Sequence, residues 1–132
     1  MKNLLAVLLV SIFSLSFLTQ CKKDNLSKDF NTNFYTSDEN GTMSLYIDGE
    51  YKGVLPYMAA VPECGASYGD GAPPLSFTLK TGSYKITGKN EQGQVVSEHV
   101  LRVKANGLGA SGSIGGSRGD SKDDCLAVGL FK

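Results

Sequence analysis

The sequence predicts an all-β protein: a small antiparallel β-sandwich or open barrel, preceded by a leader and a flexible tether. Three observations carry this. Apolar residues recur at every second position in Met43, Leu45 and Ile47, in Leu75, Phe77 and Leu79, and in Leu126, Val128 and Leu130. A period of two lays them on one face of a strand. Turn-forming clusters separate the runs, at Asp48-Gly49, Thr81-Gly82 and Asn90 through Gly93. No segment beyond residue 21 keeps the three-to-four-residue period of an amphipathic helix.

Residues 1–20 stand apart from that pattern. Met1-Lys2-Asn3 is a basic start, Leu4 to Leu18 is an apolar run broken by serines, and Thr19-Gln20 is a polar exit. These are the three parts of a secretory signal. The run is shorter than the roughly 20 apolar residues that a permanent membrane span needs. Leu18-Thr19-Gln20-Cys21 resembles the lipobox of bacterial lipoproteins, with Gln20 where that family usually has a small residue. The resemblance implies that Cys21 becomes the first residue of the mature chain, its thiol carrying a diacylglycerol and its amine a third acyl chain. Those chains would make the membrane a partner, at about 0.8 kcal/mol per buried CH₂. Lys22 follows the cysteine where inner-membrane retention signals have Asp, so the likeness implies an outer-membrane anchor. Lys23-Asp24 partly matches a surface-export signal, leaving a periplasmic or cell-surface face open.

Residues 21–40 are polar and poor in branched apolar side chains, the composition of a tether. The mature chain from Cys21 has 112 residues, enough for one domain with a modest core. Without Lys2 it carries 12 basic against 13 acidic residues, a balance that gives no footing for nucleic-acid binding. If lipid occupies Cys21, Cys64 and Cys125 remain as an even pair in an oxidising compartment, and a disulfide is expected between them.

The domain is expected over residues 41–132. Met43–Ile47 and Tyr51–Leu55 form a hairpin through Asp48-Gly49, stopped by Pro56. Residues 56–74 hold all four prolines and Cys64 and read as a long loop, either functional or tied down. Strands follow around Leu75–Leu79, Tyr84–Ile86 and Val95–Val103. Residues 105–119 contain six glycines and read as a second loop before a final strand at Leu126–Leu130. Leu45, Ile47, Val54, Phe77, Leu79, Ile86, Val100, Leu126 and Val128 are the core candidates. The disulfide would set loop 56–74 beside segment 105–124, and their joint surface is the candidate binding region.

Leu45-Tyr46-Ile47-Asp48-Gly49, Gly53-Val54-Leu55-Pro56 and Gly82-Ser83-Tyr84-Lys85-Ile86 together resemble the PEGA-type surface-layer β-domain, over about residues 43–103. Leu55-Pro56 replaces the Thr-Pro usual there, and the 56–74 insertion is longer. The likeness implies an extracytoplasmic domain without catalysis, by analogy of fold alone.

Little in the chain points to chemistry. His99 is the only histidine, which excludes a multi-histidine metal site, and it is expected on a strand surface or edge. Asp120, Asp123 and Asp124 cluster without the spacing of a calcium loop, so they are expected as solvated turn charges and no metal or cofactor is implied. Gly115 to Lys122 lacks the Gly-Lys-Ser/Thr ending of a phosphate loop. Arg118-Gly119-Asp120 is a common triplet in such loops. Among Tyr46, Tyr51, Tyr57, Tyr68 and Tyr84, the loop residues Tyr57 and Tyr68 are the candidate binding surface, because tyrosine offers both an apolar face and a hydroxyl. The expected role is a non-catalytic, lipid-anchored envelope protein with a structural or interaction function. The alternative is an accessory module for a glycan or peptide.

Overall fold

The computed structural model describes residues 27–132; the leader and Cys21 lie outside the described residues. Nine strands run β1 (Asp29–Thr36), β2 (Met43–Ile47), β3 (Glu50–Leu55), β4 (Leu75–Lys80), β5 (Gly82–Lys89), β6 (Val95–Lys104), β7 (Gly107–Ile114), β8 (Gly116–Lys122) and β9 (Cys125–Phe131). They form two sheets, ordered β4-β1-β9-β8 and β3-β2-β5-β6-β7. All pairings are antiparallel except β1 with β9. The fold is therefore an all-β sandwich of two open sheets.

The core lies between the sheets. β1 sends Phe30 and Phe34 inward, β2 Met43, Leu45 and Ile47, β5 Ile86, β6 Leu101 and Val103, and β9 Leu126, Val128 and Leu130. Phe34 and Phe77 meet at ring centroids 6.1 Å apart. The alternation read from the sequence produces this layer directly, since each strand has one apolar face to bury.

Four expectations are corrected. The tether does not extend to residue 40, because residues 29–36 form β1, an inner strand of the four-stranded sheet. Its polarity hid it: Asn33 and Tyr35 on its outward side are buried as fully as Phe34 on its inward side. The 105–119 loop is instead β7 and most of β8, strands of glycine and serine held by pairing with β6 and β9. Val54 and Val100 face outward, 47% and 38% exposed. Gly53 takes the position opposite Leu45 beside a register shift in β2–β3, while Ser97, His99, Leu101 and Val103 form the inward row of β6. His99 is not at the surface: it is 5% exposed, inside the sandwich.

The chain crosses between the sheets four times, through residues 37–42, loop 56–74, Thr81 and Gly115. Gly115 has φ +62°, and a Cβ there would run into the backbone oxygens of Val96 and Phe131. Only glycine fits both the left-handed conformation and the space.

Candidate functional site

The site grows from β9. Leu126, Val128 and Leu130 point into the core, so Cys125, Ala127, Gly129 and Phe131 line the opposite, outward face. Two of those outward residues have almost no side chain, and the middle of this strand is a low floor. Tyr35 from neighbouring β1 leans over it: a Cβ on Gly129 would lie 2.8 Å from the Tyr35 hydroxyl oxygen. The glycine is what lets the ring lie flat.

β8 supplies one wall. Its register sets Arg118 opposite Gly129, Asp120 opposite Ala127 and Lys122 opposite Cys125, so the three charges stand on the same outward face. Loop 56–74 supplies the other wall. It is stitched to the end of β1, with the Thr36 N–H donating to the Pro56 carbonyl and the Met58 N–H to the Thr36 carbonyl, both at 2.9 Å. Further along, Asn33 Nδ2 donates to Cys64 Sγ at 3.5 Å and Ser76 Oγ donates to Asn33 Oδ1 at 2.6 Å. Cys64 and Cys125 stand at disulfide distance, with Cα atoms 5.8 Å apart and 61 residues of separation in sequence. This lies within the range a disulfide needs.

Between the walls run two adjoining cavities that share Val61. One, of about 440 Å³, is lined by Val61, Glu63, the two cysteines, Asp120 and Asp123 among others. The second, of about 480 Å³, is lined by Tyr35, Met58, Val61, Arg118 and Phe131 among others. Together they make a trough over the outer face of the four-stranded sheet. Its first half is acidic; Asp124 there is already paired with Lys28. Its second half mixes Met58, Ala59, Ala60, Val61 and Phe131 with Ser37, Ser117, Arg118, the Tyr35 hydroxyl and Asp38, whose Oδ2 accepts the Lys132 N–H at 2.8 Å. Tyr35 is only 3% exposed, and burial pushes its hydroxyl above the ordinary pKa, with a smaller opposite pull from Arg118 and a small push from Asp120. The phenol thus keeps its proton and acts as a donor.

The residues singled out from sequence fall in different places. Asp120, Asp123 and Asp124 do come together on the acidic cavity. No group of three His, Cys, Asp or Glu side chains among the described residues is arranged to hold a metal ion. Tyr57 is 46% exposed and Tyr68 half-buried, its hydroxyl donating to the Glu63 carbonyl at 2.8 Å, and neither lines the trough. Tyr46 and Tyr51 pair edge to face at 5.5 Å on the five-stranded sheet, with Lys89 Nζ 4.3 Å from the Tyr46 ring centroid. His99 sits by the β7–β8 rim, its Nε2 2.9 Å from Ser97 Oγ and its Nδ1 buried without a partner among the described residues. The trough's own floor, Tyr35, Ala127 and Gly129, escaped the sequence reading. A short-residue period of two, Ala127 and Gly129 set between Leu126, Val128 and Leu130, was the available signal.

Comparison with protein-family models, with curated proteins and with solved structures finds no match. The PEGA likeness thus rests on the quoted residues alone. Among the described residues no helix is long and apolar enough to cross a membrane.

Proposed function

We propose that the chain is an acylated envelope lipoprotein, anchored in the outer membrane through Cys21, whose sandwich holds a partner in the trough without transforming it. The anchor reading is supported by the basic-apolar-polar leader and the Leu18-to-Cys21 likeness. The holding role is carried by one observation: a loop stitched to Thr36 and set at disulfide distance from β9 walls in two adjoining cavities over a floor of Ala127 and Gly129. A preformed concave surface with apolar walls and convergent polar groups suits binding. A non-catalytic role fits the position of the only imidazole, which faces the interior rather than the trough.

Intact-mass measurement of the exported protein tests the anchor. Three acyl chains on a chain beginning at Cys21 are expected; a mature chain without acyl mass, or starting elsewhere, contradicts it. For the trough, backbone amide shifts of the oxidised protein on adding envelope glycan fragments or peptides should cluster at Tyr35, Ala127 and Gly129. A second reading, a glycan-binding module, is favoured by exposed Tyr51 paired with half-buried Tyr46, and shifts confined to that face would select it.

A further inference from the structure

The trough's polar groups carry a pattern. The Tyr35 hydroxyl is a donor on a side chain that is 3% exposed, it opens onto the cavity, and no acceptor among the described residues takes its proton. Arg118 stands across Gly129 from it and makes no ion pair among the described residues. A phenol donor and a free guanidinium converging on one spot form a receptor for a carboxylate, held by charge-assisted hydrogen bonds. Two residues along the same face of β8 the sign reverses. Asp120, with Glu63 and Asp123 against the single cation Lys122 around the same cavity, faces a net acidic space that suits an ammonium or guanidinium. Asp120 is no closed unit either: its Oδ1 accepts the Ser121 N–H at 2.8 Å, leaving its other oxygen for a ligand.

Residues i and i+2 of a strand lie about 6.8 Å apart on one face, the same repeat that an extended peptide presents. We propose that the trough takes an extended peptide bearing an acidic and a basic side chain two positions apart, the acid at Tyr35 and Arg118 and the base at Asp120. This rests on the trough being the holding surface. Charge complementarity favours a peptide over a neutral glycan, because both signs occur at strand spacing and the tyrosines with exposed faces lie elsewhere. The small floor residues leave room for the peptide backbone, and Met58, Val61 and Phe131 meet its apolar side chains.

The test is selection of a random displayed heptapeptide library on the full-length oxidised chain. It is run in parallel on Tyr35→Phe and on the double variant Arg118→Asp with Asp120→Arg, with an oligosaccharide array as a second probe. Wild type should enrich peptides with an acid and a base two positions apart in a fixed order. The double variant should enrich the reversed order. Synthetic peptides of matched order should bind about tenfold tighter than reversed ones, as expected for one charged hydrogen bond gained or lost. Tyr35→Phe should weaken them while leaving peptides that carry only the base unchanged. Enriched peptides that shift Ala127 and Gly129 but show no charge order, or keep it in the double variant, overturn this inference and leave the holding surface intact. No peptide enrichment on any bait overturns this inference; oligosaccharide binding that shifts Ala127 and Gly129 then leaves the holding surface intact, and binding of neither probe overturns both.

Discussion

The middle of the four-stranded sheet and the β7–β8 rim, where edge strands of the two sheets meet, are built in opposite ways. At β1–β9, residues on both faces are buried: Phe34 and Val128 on the core side, Asn33 and Tyr35 under the loop. At β7–β8, Ala110, Gly112, Ser117, Gly119 and Ser121 are small residues on rim strands, and His99 fills part of the space. The first region is held by side-chain packing and, once the bridge forms, by a covalent link. The second is held by backbone pairing with β6 and β9 and by what little the rim can bury. The contrast shows where stability resides in this fold: the trough's floor and loop wall lie over the first region and are preformed, while its β8 wall belongs to the rim.

Breaking the packed region should cost most. Phe34→Ala removes a fully buried ring and is expected to cost about 4 kcal/mol, as a lowered urea midpoint with an unchanged slope. Replacing Cys64 and Cys125 together by serine should cost about 4 kcal/mol through the freed 61-residue separation, measured against the oxidised parent. A variant as stable as the parent would show that the loop is held by its hydrogen bonds alone.

At the rim the effects should be smaller. Gly112→Ala places a methyl where the His99 ring lies, and the ring must shift, at a cost of about 2 kcal/mol in thermal unfolding.

His99 sharpens the comparison through pH. Burial lowers its pKa from the ordinary 6.5, against weaker opposite pulls from the Gly116 carbonyl and the Glu98 carboxylate. The unfolded chain then binds this proton more readily than the fold does. Its contribution is therefore complete above about pH 6.5 and declines as the pH falls below that value. Stability measured at pH 7.5 and pH 5.5 should drop more in the parent than in His99→Gln. An equal drop would mean that His99 titrates as it does in water.

The sandwich was legible wherever a strand buries one face only. Met43–Ile47 and Leu126–Leu130 announce themselves by alternation, since water on one side and core on the other write a period of two. β1 was not legible because its outward residues are polar yet covered, Asn33 by its bonds to Cys64 and Ser76 and Tyr35 by the loop. β7 and β8 were missed for the opposite reason: glycine and serine carry no strand preference, and only the neighbouring edges of β6 and β9 impose one. Within the site, cysteine counting located the junction of loop and β9. The trough itself depends on Gly129 lying beside Tyr35 across a parallel pair, a long-range register that no local pattern encodes.

Native-state amide hydrogen exchange on the oxidised full chain tests the central contrast most directly. Amides of Phe34, Val128 and Leu130 should exchange only through global unfolding, while those of residues 108–112 and 117–121 open locally at much lower free energy. Reduction should release the loop amides near Cys64 and leave the rim unchanged. Equal protection of β8 and β9, or a loop indifferent to reduction, would contradict a packed, pinned trough beside a pliant rim.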